Sequence, residues 1–184
     1  MNLNLLKTLK ILIVEDEKRI AQLLKDAISD YFFSVVIAKD GIEGLKKFQT
    51  FKPDIIITDI MMPLSDGLDM TIKIKELDSF IPIIILSAHS DKEKLLKAID
   101  VGISKYFIKP FDPEEVIEHI NKIAPSLHKQ KQVLLKEDFI FDNNTMSLYK
   151  DNSLITLTKR EKEFLFLNFE EELNQLQQKS NFEV

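Results

Sequence analysis

The order of apolar and polar segments in this 184-residue chain predicts an α/β architecture: a doubly wound, five-stranded parallel sheet followed by a small, incomplete α+β segment. Short apolar runs alternate five times with longer stretches of helical periodicity between Lys10 and Ile123. The runs are apolar at consecutive positions, as a strand must be when helices cover both faces of its sheet. Each of four runs is followed at once by residues that carry a charge or a hydroxyl. Right-handed crossovers bring the carboxyl ends of parallel strands to one rim, where open α/β sheets bind their ligands.

The first strand is the Ile-Leu-Ile-Val run at 11–14. The helix after it, 19–28, holds Ile20, Leu23, Leu24 and Ile28 on one side at i, i+3, i+4 spacing. Strand and helix follow again at 35–38 and 42–51, 55–58 and 68–77, 83–86 and 92–99, and 106–108 and 114–123. Together they make one domain over 10–123. Residues 124–132, with Pro125 and a Lys/Gln-rich end, read as a linker. The segment 133–184 begins with short antiparallel strands, broken by turn signals at Asp142-Asn143-Asn144 and Asp151-Asn152-Ser153. Thr158 then caps a helix opening at Lys159, with Glu161 as its capping-box partner and Phe164, Leu165, Leu167 and Phe169 on the apolar side. Residues 175–184 are expected to fray.

Composition narrows the chemistry. The absence of cysteine excludes disulfides, thiolate zinc sites and cysteine nucleophiles, and it fits a reducing, cytoplasmic compartment. A net charge of −5 gives no support to a large nucleic-acid surface. No apolar run approaches the length of a membrane span, and residues 1–10 lack the cleavage site of a signal peptide.

At the rim, the first strand ends in Glu15-Asp16, the third in Thr58-Asp59, the fourth in Ser87-Ala88 and the fifth in Lys109-Pro110. Three carboxylates, a hydroxyl and an ammonium therefore converge. Crowded carboxylates repel and call for a cation. An all-oxygen set without His or Cys suits a hard ion such as Mg²⁺, which also shares phosphate ligands readily. Asp66, Asp69 and the run 91–97 read as solvated loop and helix charge. His119 and His128 have no partners at metal-ligand spacing.

Residues 10–123 resemble the receiver domain of bacterial response regulators, the CheY-like family. The motifs are Val14-Glu15-Asp16, Thr58-Asp59-Ile60-Met61-Met62-Pro63, Ser87-Ala88 and Lys109-Pro110-Phe111, with Gly67 and Gly102 at glycine positions of the family. The resemblance implies that Asp59 accepts a phosphoryl group from a phosphohistidine on a sensor histidine kinase. It implies Mg²⁺ as cofactor, held by Asp16 directly, by Glu15 through water, by Asp59 and by the Met61 backbone carbonyl. Ser87 and Lys109 would then contact phosphoryl oxygens, and the Lys109–Pro110 bond would be cis. Ser87 and Tyr106 would form the switch, the hydroxyl moving toward the phosphoryl group and the aromatic ring following. His89, two residues past Ser87, either tunes dephosphorylation or is a plain loop histidine. The resemblance makes the protein a self-phosphorylating and autodephosphorylating signalling component rather than a turnover enzyme. A phosphatase of the haloacid-dehalogenase type is disfavoured, because it needs aspartate two residues after the nucleophile and Met61 stands there.

The C-terminal segment resembles the start of an OmpR/PhoB-type winged-helix output domain, through Phe139-Ile140-Phe141-Asp142, Leu148-Tyr149-Lys150 and the run from Ile155 to Glu161. The match stops near Asn168, so the expectation is a truncated winged helix without recognition helix or wing. Residues 161–184 carry six acidic side chains against two lysines, the wrong sign for a phosphate backbone. Specific DNA binding is therefore not expected of this chain, although transcription regulation is the family's usual output. The expected partners are a sensor kinase and a second copy of the chain, paired through the receiver or the C-terminal helix. Lys105 and His119 replace an acidic residue and an arginine that commonly form an ion pair in family dimers, which puts that mode of pairing in question. The alternative output is a stand-alone receiver that signals by protein contacts without DNA.

Overall fold

A computed structural model of the chain describes residues 3–62, 66–87, 92–134, 139–142, 146–151, 153–162 and 164–165. The chain divides into two units, Met1–Ala124 and Pro125–Val184.

The first unit holds five strands: β1 (Lys10–Val14), β2 (Ser34–Ala38), β3 (Ile55–Asp59), β4 (Ile83–Ser87) and β5 (Lys105–Ile108). All pairs are parallel and the order is β2-β1-β3-β4-β5. The helices are α1 (Leu3–Leu6), α2 (Lys18–Ile28), α3 (Gly41–Phe51), α4 (Gly67–Leu77), α5 (Lys92–Asp100) and α6 (Pro113–Lys131). This is the flavodoxin-like, doubly wound arrangement that the alternating pattern predicted. The consecutive apolar runs have the physical role inferred for them, since every position of β3 and β4 is buried. On one face Leu12, Val14, Ile56, Ile83 and Ile85 join Met70 and Ile74 of α4 and Ala98 of α5, with Leu45 and Phe48 of α3 packed against them. The intervening residues Ile11, Ile13, Ile55, Ile57 and Ile84 are equally buried, so the opposite face is covered as well.

Local chemistry sets the element ends. Asp40 caps α3 by accepting from Glu43 N at 2.7 Å, and Asp66 caps α4 by accepting from Leu68 N at 2.9 Å. The end of α5 is a Schellman motif: Gly102 N donates to Ile99 O and Ile103 N to Ala98 O. Gly102 takes φ +81° there, which glycine adopts without penalty. The helix α1 has no counterpart in the sequence reading. It precedes Leu9, and Leu6 and Leu9 are both fully buried, with Leu9 O accepting from Phe33 N at 3.0 Å.

The stretch 124–132, expected as a linker, begins at the boundary between the two units and is helical as far as Lys131. Helix α6 continues through Pro125 to Lys131, and Gln132 opens the next strand. Proline removes one backbone hydrogen bond in a helix interior. The apolar stripe nevertheless runs on through Ile120, Ala124 and Leu127, all buried, and its burial offsets that loss.

The second unit carries the predicted antiparallel strands β6 (Gln132–Leu134), β7 (Phe139–Asp142), β8 (Ser147–Lys150) and β9 (Ser153–Ile155), paired in sequence order. Phe141 and Leu148 form its core, with Phe139, Met146, Ile155, Leu157 and Leu165 against them. The capping box exists: Glu161 Oε2 accepts from Thr158 N at 2.8 Å and Thr158 Oγ1 accepts from Glu161 N at 3.4 Å. Residues 159–162 are helical. The expected remainder of that helix, with Leu167 and Phe169, lies outside the described residues.

Candidate functional site

The strand order turns at β1. The chain leaves β1 for β2 on one side and later returns to place β3 on the other, and ligand crevices form at such a switch point. Val14 stands opposite Thr58, so Glu15 and Asp59 emerge from adjacent strands at the same level. Glu15 is 3% exposed and Asp59 6%. Ser87 closes β4, buried, and its carbonyl accepts from Lys109 N at 2.7 Å. The Lys109–Pro110 bond is cis. That backbone contact sets Lys109 where its ammonium lies 2.6 Å from Asp59 Oδ2 and 2.7 Å from Glu15 Oε2. The other Asp59 oxygen, Oδ1, accepts from Met61 N at 3.0 Å.

Gly67 opens α4 directly behind the acid. Its N–H donates to Ile60 O at 2.9 Å, and a Cβ at this position would lie 1.8 Å from Asp59 O. Only glycine lets the helix come this close to the Asp59 backbone. Thr58 Oγ1 donates to the same carbonyl at 2.9 Å. The resemblance marked Gly67 as a glycine position, and the packing against Asp59 gives the physical reason.

Burial pushes the Glu15 carboxyl above the usual carboxylate range, although the Lys109 hydrogen bond and charge pull the other way. Burial also works against the Lys109 ammonium. Its hydrogen bonds and charge contacts with Asp59 and Glu15 prevail and hold it above the ordinary lysine range. The ammonium thus neutralises two carboxylates that would otherwise repel each other inside the protein.

The structure brings Glu15, Asp59, Lys109 and the Met61 backbone together and sets Ser87 at the end of the next strand. Asp16 follows Glu15 on the rim, half-buried. Tyr106 is partly buried, stands opposite Ile85 in the β4–β5 ladder and packs against the core cluster. Pro63, Ala88 and His89 lie outside the described residues. Among the described residues, no group of three or more Asp, Glu, His or Cys side chains is already gathered around a metal position. Lys109 bridges two of the three carboxylates. The donors nevertheless fit a hard cation. Glu15 Oε1 is buried with no hydrogen-bond partner among the described residues, and a cation or its bound water satisfies such an oxygen.

Two charges read as solvated have a structural role. Asp66 caps α4, and Lys94 of α5 reaches it, with Nζ 3.6 Å from Asp66 Oδ2 and in contact with Met61 Sδ. No sequence signal marks this pair, because the residues lie on separate elements and neither belongs to a motif. At the far side of β5, His119 Nε2 sits 2.9 Å from Ser104 Oγ, and the Lys105 ammonium lies over the Phe107 ring.

A parallel sheet with a buried Asp–Glu–Lys cluster at its switch point defines a class of α/β signalling and ligand-binding domains. Comparison places the chain within it: residues 11–121 match the response regulator receiver domain family, and the chain belongs to that family. ArlR, a response regulator of Staphylococcus aureus, is 35% identical over 158 residues, covering 86% of this chain and 71% of ArlR. The protein ycf27 of Guillardia theta, described as a probable transcriptional regulator, is 38% identical over 160 residues; the match covers 83% of this chain and 63% of that protein. The chain therefore spans less than two thirds of the length of that relative. Among solved structures, the N-terminal domain of an uncharacterized Wolinella succinogenes protein superposes with a TM-score of 0.63 at 37% identity, covering 66% of this chain and 98% of that one. The chemotaxis protein CheY4 of Vibrio cholerae gives a TM-score of 0.59 at 30% identity, covering 62% of this chain and 98% of that one. The receiver fold expected from the sequence is the fold found. Among the described residues, no helix is long and apolar enough to cross a membrane.

Proposed function

We propose that this chain is the phosphorylation-operated input of a two-component system: Asp59 takes a phosphoryl group from a phosphohistidine of a sensor kinase, and its phosphorylation state sets the output. The observation that carries this reading is the Lys109 ammonium, held within 2.7 Å of both Asp59 and Glu15 at the switch point. Phosphoryl transfer needs an in-line nucleophile and positive charge on the equatorial oxygens. The buried Asp59 carboxylate is the nucleophile, and Met61 N fixes its orientation. One Asp59 oxygen forms the new P–O bond while the P–N bond to the donor imidazole breaks, and the imidazole leaves with its electron pair. Lys109 stays beside Asp59 and turns its charge onto the transferred group. Ser87, at the neighbouring strand end, donates a hydrogen bond to it. Mg²⁺, when held by Asp16, Asp59, the Met61 carbonyl and water on Glu15, supplies further charge neutralisation.

The modified residue carries about −1.5 to −2 charge. It draws Ser87 toward it, and Tyr106 of β5, packed against the core cluster, is the element that responds. The C-terminal unit receives the output, as its similarity to regulators such as ycf27 and ArlR supports. Incubation with a small acyl-phosphate donor and Mg²⁺, followed by intact-mass measurement, tests the proposal. One added phosphoryl group in the wild type and none in Asp59→Asn is the expected result; undiminished labelling of Asp59→Asn overturns it.

A further inference from the structure

Helices α3 and α4 pack on the same face of the sheet, and Gly44 brings them close: a Cβ there would lie 2.5 Å from Met70 Sδ. Met70 also lines an open groove of about 370 Å³ between the two helices. Met70 and the half-buried Leu45 give the groove apolar walls, and Ile42 lines it while 68% exposed. Gln49, Lys46 and Lys73 supply its polar groups. No carboxylate lines the groove, and neither ammonium forms an ion pair among the described residues. Two such cations beside exposed apolar surface fit an occupant that is acidic and apolar at once. One segment of this sequence has that chemistry. Residues 169–176 read Phe-Glu-Glu-Glu-Leu-Asn-Gln-Leu, with three carboxylates and no basic side chain. Phe169, Leu173 and Leu176 recur there at i, i+4 and i+7.

We propose that the α3–α4 groove is a docking site for the segment 169–176 of a second copy of this chain. The glutamates at 170–172 answer Lys46 and Lys73, and the apolar residues of the segment cover Ile42 and the walls beside it. The topology of the first unit favours a second copy. The step from β1 to β2 runs opposite to the later steps, so right-handed crossovers put α2 on the face away from α3, α4 and α5. Helix α6 lies on that same far face, where Ile117 and Glu118 share a cleft with Tyr31, just past α2. The chain thus leaves the sheet on the face opposite the groove. Reciprocal exchange between two copies uses both segments and both grooves and closes the assembly at a dimer. The inference does not rest on phosphorylation of Asp59.

The test is sedimentation velocity of the full, unphosphorylated chain over a concentration series. The wild type should pass from monomer to dimer, and added salt should weaken the pairing because exposed charges are screened. Lys46→Glu with Lys73→Glu reverses the groove. Both lysines are exposed, so the fold survives the change. Glu170→Lys, Glu171→Lys and Glu172→Lys together reverse the segment. Each reversed protein alone should dimerise at least about tenfold more weakly, since several exposed ion pairs turn into repulsions. Mixing the two should restore the wild-type affinity, because one contact then pairs the original charges and the other pairs the reversed ones. A wild type that stays monomeric at every concentration overturns the docking. So does a dimer that either reversal leaves unchanged, or a mixture that pairs no better than its components. None of these outcomes bears on labelling of Asp59, so failure here is distinct from failure of the proposed function.

Discussion

Replacing Gly67 with alanine probes how closely the fold supports the acid. The added Cβ would stand 1.8 Å from Asp59 O and 2.9 Å from both Asp59 C and Thr58 Oγ1, whereas ordinary contact begins near 3.4 Å. The backbone of Asp59 or the start of α4 must therefore retreat by about 1.6 Å, the difference between the first and last of these distances. The nearest atom, Asp59 O at 1.8 Å, is backbone, so no flexible side chain can absorb the clash. Overpacking of this kind costs typically about 1–3 kcal/mol, and here the upper end applies. A loss of about 3 kcal/mol lowers the melting temperature of a unit of this size by about 10 °C. The function suffers further, since a misplacement of about 1 Å at a reacting group can lower its rate about 10²-fold. Thermal melting by circular dichroism and the rate of labelling by a small phosphodonor read the two effects. Gly102→Ala is the contrast: φ is +81° but nothing lies within 4 Å, so about 1–2 kcal/mol of stability is lost with the labelling rate unchanged. A Gly67→Ala protein that melts and labels like wild type would refute the close approach and the support it gives to Asp59.

Two further outcomes follow from the site and its surroundings. Mg²⁺ affinity, measured by titration, should fall more in Asp16→Ala than in Glu15→Ala, because a direct ligand contributes more than one acting through water; equal affinity in wild type and Asp16→Ala would count against the proposed ligand set. His119 lies below the ordinary histidine range, mainly through burial and then through Lys105 and Lys122. Between its folded and unfolded values the unfolded chain binds the extra proton, so stability should fall as pH drops from about 6.5 through the folded value. Denaturant titrations across that range should show a shallower slope in His119→Gln, and an identical slope would remove His119 as the cause.

Much of this was legible in the residues. The isoleucine runs of β3 and β4 have the consecutive apolar positions that strands buried on both faces need, and consecutive strand–helix pairs leave few topologies for a parallel sheet. Their polar ends then predicted the meeting of Glu15, Asp59, Ser87 and Lys109 on one rim. Three features escaped. Helix α1 is too short to carry a period, and its leucines are anchored by tertiary burial. The end of α6 was hidden by Pro125, a strong local breaker that the buried stripe through Leu127 overrides. The Lys94–Asp66 pair is a contact between distant elements, and charges at loop and helix surfaces look alike in a sequence whether solvated or paired. The Lys109 bridge modified the expected picture too, because the ammonium shares in a neutralisation that the crowded carboxylates had suggested was the work of a cation alone.

The central claim is that Asp59 carries the phosphoryl group, and chemical trapping tests it most directly. The protein is phosphorylated with a small acyl-phosphate donor and Mg²⁺ and then reduced with borohydride, which converts an aspartyl phosphate to a homoserine side chain. Fragment masses locate the change. The structure predicts it at Asp59, between the Lys109 ammonium and the Met61 amide. Reduction at Glu15, Asp16 or any other carboxylate, with Asp59 intact, would contradict the account.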